Sequence, residues 1–484
     1  MANRRDFIKQ STITAGLLAL SAGRICSAMF KPPLAPDAIS SFRRKLSGRL
    51  IAPGDTDYEI ARAVLAMNLE TDKHPAVVAQ CMTEEDVVRC IDFAHQHALE
   101  VAVRSGNTSF LGWGTCDKGI VIDLSRMKRT KVDPVSRAAQ VATGCTGPEI
   151  LASTAQHGLA PVLGECGNVG AGVALGGGLG WLSGRYGSVS DNLLSARVIT
   201  ADARILKADR RTNEDLFWAI RGGGGNFGVA TQFEYRLHPV SEAVAGIVGY
   251  PVIKARAVLR SFREFMRTAP DELQGECLLG THRNGRIHVQ LVYTGDLEKG
   301  EQLFDGFRKS IHPDQDSLKR RHFSKLYEMD GDNSTVSCPF GSFKGSYVER
   351  LSDEVIDLVV DRFEQPPRSC DLLFVFGHYM HGQVCRVSGD ATAFQLRKPD
   401  SVHLSFSTQW KDPADGPACI SWQNRTFELL QPYSGGRIYS NYMSTTGDLA
   451  SRRVFGPNYA LLARLKRKYD PNNFFHLNQN ILPS

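Results

Sequence analysis

Glycine placement constrains this chain more than any other feature. Three glycine-rich segments fall between residues 104 and 228. The first is Arg104-Ser105-Gly106-Asn107-Thr108-Ser109, directly after the apolar run Val101-Ala102-Val103. The second runs from Gly164 through Cys166, Gly167, Val169, Gly170, Gly172, Gly176, Gly177 and Gly178 to Gly180, and continues to Asp191. The third is Arg221-Gly222-Gly223-Gly224-Gly225-Asn226-Phe227-Gly228, followed by Val229. Glycine lets main-chain N–H groups approach a ligand closely and adopt positive φ. Successive N–H groups can then form a concavity for a pyrophosphate. One such loop is also what an ordinary tight turn looks like. Three in one stretch argue for a dinucleotide. The doubly wound nucleotide fingerprint needs GxGxxG opening a helix inside a βαβ unit. Gly176-Gly177-Gly178-Leu179-Gly180 does not have that spacing. The sequence therefore reads as a dinucleotide binder of another architecture.

The surrounding chain sets the scale. A length of 484 residues suits two or three domains. With 42% apolar and 22% charged residues, the composition excludes a disordered chain, a coiled coil and a fibre. The net charge of +6 is too small to argue for nucleic acid. None of the 11 cysteines forms a CxxC pair, and no His/Asp/Glu group has metal-ligand spacing, so no metal is expected. No GxSxG elbow points to a hydrolase.

Asn3-Arg4-Arg5-Asp6-Phe7-Ile8-Lys9 precedes an apolar stretch from Ile13 to Ala22. That stretch is shorter than the ~20 residues of a membrane span. Small residues follow, with cleavage expected after Ala22 or Ala28. Residues 1–28 thus read as a twin-arginine export signal, a segment apart from the fold. The reading predicts a periplasmic or secreted protein passed in folded form through the export machinery. Export would permit disulfides without fixing their pairing.

Periodicity supplies the elements. Ala76–Cys81, Glu100–Val103 and Gly119–Leu124 read as strands. Thr83 opens a helix with Val87, Val88, Ile91 and Ala94 on one face. Thr146-Gly147-Pro148-Glu149 is a capping box. Arg286–Tyr293 and Val402–Gln409 alternate like half-buried strands, with helical patterns at 253–267 and 298–310. Leu461, Leu462, Leu465 and Tyr469 share a helix face that Pro471 ends. The fold class reads as α+β, with residues 75–242 mixing β and α and residues 245–445 forming a second domain, an antiparallel sheet flanked by helices.

In order and spacing, the three segments resemble the PCMH-type FAD-binding domain of the vanillyl-alcohol-oxidase superfamily. Within it they are similar to the berberine-bridge-enzyme-like and oligosaccharide-oxidase-like FAD-linked oxidases. Tyr439-Ser440-Asn441-Tyr442, Lys468–Phe475 and Asn478-Gln479-Asn480-Ile481 match the family's closing motifs. The resemblance spans roughly residues 40–484. It implies an FAD-binding domain built from both chain ends, residues 40–244 and 446–484, with a substrate domain at 245–445 between them.

The resemblance also implies roles. Arg104 to Ser109 and Gly164 to Gly180 would wrap the pyrophosphate and flavin. Asn226, Phe227, Gly228 and Val229 would add backbone near the ring or ribityl chain. Asn478 and Gln479 would contact or brace the cofactor. Many relatives bind flavin through a histidine and a cysteine. Thr108 occupies the histidine position and cannot form that link. Cys166 remains, so at most one covalent bond is implied. Val169 would lie against the flavin face where oxygen reacts, and its small side chain implies an oxidase.

The substrate base is implied at Tyr439, with Asn441 on the same face of an assumed strand and Tyr442 on the other. His403 is the second candidate, heading a polar strand face with Ser405, Ser407 and Gln409. His378 and His381 are further possible lining residues. The leading expectation is an exported oxidase that takes a hydride from a C–H beside O or N of a small alcohol or sugar-like substrate and passes electrons to O2. The alternatives are a dehydrogenase using a quinone or other acceptor, and a flavin-binding protein without turnover.

Overall fold

The computed structural model describes residues 34–64, 71–109, 111–280, 285–329, 340–443 and 446–484. The leader read over residues 1–28 lies outside them. Among the described residues eighteen strands form three sheets. The first has β1 (Arg49–Ile51), β2 (Val77–Gln80), β3 (Val101–Arg104) and β4 (Ile120–Asp123), in the order β1-β2-β4-β3. β2, β3 and β4 run parallel. Such strands need a crossover, and the helix Glu84–Gln96 provides one. It starts where the sequence places it, with Thr83 and Asp86 in a reciprocal capping box.

The second sheet is antiparallel. It contains β5 (Thr130–Asp133), β6 (Ala138–Ala142), β7 (Leu159–Pro161), β8 (Leu193–Ile199), β9 (Ile205–Asp209) and β10 (Val229–Pro239). The capping-box helix spans Gly147–Ala155. The second glycine segment crosses between β7 and β8, and the third enters β10.

The third sheet is also antiparallel. It comprises β11 (Glu242–Pro251), β12 (Leu273–Gly280), β13 (Arg286–Tyr293), β14 (Gln315–Asp316), β15 (Lys319–His322), β16 (Phe340–Val348), β17 (Asp371–Gly377) and β18 (Val402–Trp410). Its order is β14-β11-β13-β12-β17-β18-β16, with β15 on β11. The helices Ala255–Arg267, Asp353–Glu364 and Gly416–Leu430 cover one face, where Cys277, Val289, Phe374 and Phe406 are buried among Phe262, Val359 and Trp422. A disulfide joins Cys370 to Cys419 on that helical side.

Two expectations need correction here. β13 and β18 keep the half-buried alternation at one end only: Arg286 and His288, and Ser407 and Gln409, are partly exposed on one face, while most of the rest of each strand is buried. In the C-terminal helix Tyr459–Tyr469, Leu462, Leu465 and Tyr469 are buried, but Leu461 turns outward. Among the described residues no helix is long and apolar enough to cross a membrane.

Candidate active site

The three glycine segments, the uncovered face of the third sheet and the C-terminal tail enclose one cavity of about 900 Å3. That volume is near the upper end of the ~300–1,000 Å3 typical of ligand pockets. Arg104 to Ser109 line it, as do Glu165 to Gly170, Gly172 and Gly176. Asn478 and Gln479 close the same wall.

The first two glycine segments lie back to back. A Cβ on Gly106 would sit 2.6 Å from Asn168 O and from Gly170 N. One on Gly170 would sit 2.6 Å from Ser105 Oγ. Arg104 anchors the first segment through a buried pair with Asp123, 2.8 Å apart, and hydrogen bonds to the carbonyls of Ala61 and Ala63. The residues present suit a flavin dinucleotide. The buried Asn107 Oδ1 and Asn478 Oδ1 have no hydrogen-bond partner among the described residues. Cys166 is exposed toward the cavity and Val169 borders it.

Not every expected cofactor residue reaches the cavity. Gly177, Gly178 and Gly180 are absent from its wall, and protein packing explains their glycines. Their Cβ atoms would meet Phe394 at 2.3 Å, Val189 at 2.6 Å and Leu163 O at 1.8 Å. Asn226 and Phe227 are fully buried behind the wall. Asn226 braces the tail, donating to Gln479 O and accepting from Ile481 N. Gly228 and Val229 do line the cavity, joined by Gly224 and Gly225.

The segment around Tyr439 is not the strand the sequence suggested. Ser440–Tyr442 form a 3₁₀ turn, so side-chain alternation fails. The turn docks on the second glycine segment. Ser440 Oγ donates to Gly176 O, and Asn441 Nδ2 donates to Val173 O and to the Tyr439 hydroxyl. Tyr439, Asn441 and Tyr442 consequently all line the cavity. Burial raises the Tyr439 phenol above its ordinary 10, against the partial relief of Asn441 and the amides of Gly178 and Leu179.

Strand parity does hold on the third sheet. Ser405, Ser407 and Gln409 face the cavity, beside Leu373 and Val375 of β17 and opposite the helical face. Glu276 and Gln290, direct cross-strand partners on β12 and β13, extend this wall. His403 shares the face but sits behind the wall, 1% exposed, its ring 4.1 Å from that of Tyr439. His381 is packed away beside Gly184. His378 does reach the cavity.

Sequence reasoning missed Glu165 and Glu276 outright and ranked His378 and Tyr442 low. Glu276 and Gln290 were readable from parity once the cavity side was known. No local signal marked Glu165, which draws its place from the neighbouring glycine loop. Among the described residues no group of three or more His, Cys, Asp or Glu side chains is placed to hold a metal ion.

The buried histidines set an acid limit. Desolvation lowers His378 and His238 to about 4 and pushes His403 well below its usual value. The unfolded chain binds protons near 6.5, so it takes up more protons than the folded one between about 6.5 and 4. Stability is full above the unfolded value and is lost as pH falls through this window. For His378 the loss is about 3 kcal/mol. Thermal melts at pH 7, 5.5 and 4.5 should show a falling midpoint, and His238→Gln should flatten the slope.

Residues 75–209 match the family model described as FAD binding domain, and residues 438–482 the one described as berberine and berberine like. An FAD-linked oxidoreductase of Dictyostelium discoideum is 28% identical over 455 residues, 93% of this chain and 98% of its own. The (R)-6-hydroxynicotine oxidase of Paenarthrobacter nicotinovorans is 27% identical over 458 residues, 90% of this chain and 97% of its own. The crystal structure of 6-hydroxy-D-nicotine oxidase from Arthrobacter nicotinovorans has the same fold, with a TM-score of 0.82 at 24% identity over 91% of this chain and 98% of that one. The two matched segments meet across a single cavity, and over about nine-tenths of its length the chain is similar to FAD-linked oxidoreductases, as an FAD-dependent oxidoreductase with an FAD binding domain and a berberine-like C-terminal segment.

Proposed function

We propose that this protein is an exported FAD-dependent oxidase that takes a hydride from a C–H next to O or N of an alcohol or sugar-like substrate and reduces O2 to H2O2. Flavin bound in the cradle supplies the hydride acceptor. The observation that carries the reading is the composition of the two facing walls. One holds the glycine cradle with Cys166 and Val169. The other presents Ser405, Ser407, Gln409, Gln290 and Glu276. A row of hydroxyl, amide and carboxylate groups suits a polyhydroxylated substrate, and Tyr442 and Phe343 offer apolar ring faces beside it. Val169 leaves room for oxygen, and the twin-arginine leader supports export. Cys166 would hold the flavin by a single thioether, since Thr108 cannot add a second link.

Acid precipitation of the purified protein tests the attachment. Yellow colour should stay with the pellet in the wild type and pass to the supernatant in Cys166→Ala. Colour in the wild-type supernatant rules out the thioether. Air reoxidation of the reduced flavin, followed by stopped flow, tests the oxidase reading. Slow reoxidation without peroxide would assign a dehydrogenase instead.

A further inference from the structure

We propose that Tyr442, His378 and Glu165 form a proton relay that receives the proton of the substrate's O–H or N–H. The inference rests on the oxidative reading above. All three line the cavity. His378 Nε2 lies 3.4 Å from the Tyr442 hydroxyl, and the two rings are nearly parallel at 18° with centroids 6.2 Å apart. On its other side, His378 Nδ1 lies 3.8 Å from Glu165 Oε2. Distances of this kind are long for resting hydrogen bonds, and catalytic ones commonly tighten only around a bound substrate. The imidazole therefore stands between a phenol at the cavity wall and a carboxylate.

Two further observations separate this arrangement from packing. His378 has φ +50, a left-handed conformation unusual for a side-chain-bearing residue, and it comes directly after β17 ends. Such backbone strain concentrates at functional sites. The strain turns the ring off the strand and between Tyr442 and Glu165. The rival tyrosine is differently placed: the Tyr439 hydroxyl accepts from Asn441 Nδ2, within the turn docked on the second glycine segment.

The proton balance is complete. The substrate X–H bond breaks and its proton moves to Tyr442 Oη as the phenol's own proton moves to His378 Nε2. The X–H electron pair forms the C=X bond as a hydride leaves carbon, for which flavin held in the cradle would be the acceptor. His378 becomes an imidazolium beside the Glu165 carboxylate. Its neutral form must then carry the proton on Nδ1, aimed at Glu165, with Nε2 free to accept. Burial keeps His378 neutral above about 4, so its ring holds a free lone pair in the resting protein. The other titratable groups facing Tyr442 are Cys166, Tyr439 and Glu276, and the His403 ring is 5.6 Å away. His403 also flanks His378 at 5.8 Å.

The tautomer gives a test that needs no substrate. In the 15N-histidine-labelled holoenzyme at pH 7, the His378 signal, assigned by its loss in His378→Gln, should report the Nδ1–H tautomer. Glu165→Gln and Tyr442→Phe should each shift it toward Nε2–H, with flavin content unchanged. An Nε2–H tautomer in the wild type overturns the relay, as does indifference to both substitutions. A panel of sugars and alcohols then serves as the kinetic probe, read by anaerobic flavin bleaching. With a substrate in hand, Tyr442→Phe should bleach about 10²–10⁴-fold more slowly. His378→Gln should bleach faster as pH rises to 10, because Tyr442 must then ionise unaided, whereas the wild type should reach a plateau near neutrality. An equal loss at every pH overturns the relay. A panel without any bleaching substrate overturns the proposed function and leaves the tautomer result to judge the relay.

Discussion

Lys466→Met should destabilise the protein by about 3–5 kcal/mol and strip it of most of its flavin. Lys466 and Asp470 form an ion pair at 2.7 Å with both side chains fully buried. The ammonium also donates to Asn226 O at 2.8 Å and Phe475 O at 2.9 Å. The Asp470 carboxylate in turn accepts from the amides of Phe474 and Phe475. One lysine thus ties the C-terminal helix, the third glycine segment and the tail into a single knot. The tail carries Asn478 and Gln479 into the cavity wall, and Gln479 Nε2 holds Ser440 O at 2.7 Å. Removing the lysine leaves a buried carboxylate without its countercharge and frees both strands of the wall. Lys466→Met/Asp470→Asn should recover part of the loss, since the amide removes the stranded charge and its single oxygen still accepts from one of the two backbone amides. Chemical denaturation checks the ordering, and absorbance near 450 nm against 280 nm checks the flavin. Equal stability in the single and double variants would mean the charge is not the source of the effect.

That knot shows where sequence reading ends. Lys468-Tyr469-Asp470-Pro471 was recognisable as a closing motif, but its two buried charges were not, because Lys466 and Asp470 look like a solvated i,i+4 pair. Local rules served well where local physics decides: Thr83 and Thr146 cap their helices, and the strand ends at 101–104 and 120–123 lie within a residue or two of the pattern. They failed where a tertiary surface decides. Gly177, Gly178 and Gly180 look like cradle residues in sequence, yet each makes room for a neighbouring protein group. Tyr439–Tyr442 has strand-forming residues, but docking of Ser440 and Asn441 on the glycine segment bends it into a turn. Glu165, His378 and Tyr442 come from three distant parts of the chain. No spacing rule could bring them together before the sheets were assembled.

Gly106→Ala should cost about 1–3 kcal/mol of stability and lower flavin occupancy sharply. The argument is steric. The new methyl would stand 2.6 Å from two main-chain atoms, Asn168 O and Gly170 N, neither the end of a flexible side chain. Ordinary carbon contacts begin near 3.5 Å, so the two segments must separate by roughly 1 Å. Both segments form the cradle, and a displacement of that size costs about 10²-fold in a reaction that depends on alignment. The predicted rate loss is therefore larger than the stability loss alone would give at saturating FAD. Gly306→Ala is the matched control. It lies in the helix Leu297–Ser310, and a Cβ there would meet nothing within 4 Å. That substitution should stabilise the protein by about 0.5–1 kcal/mol, through better helix propensity. Flavin content should be untouched, because the helix lies outside the cavity wall. If Gly106→Ala keeps full flavin content and rate, the close approach of the first two segments is a packing feature and the cradle tolerates their separation. If it loses flavin while its thermal midpoint falls only modestly, the glycine is held by the need to bring two backbones against one ligand.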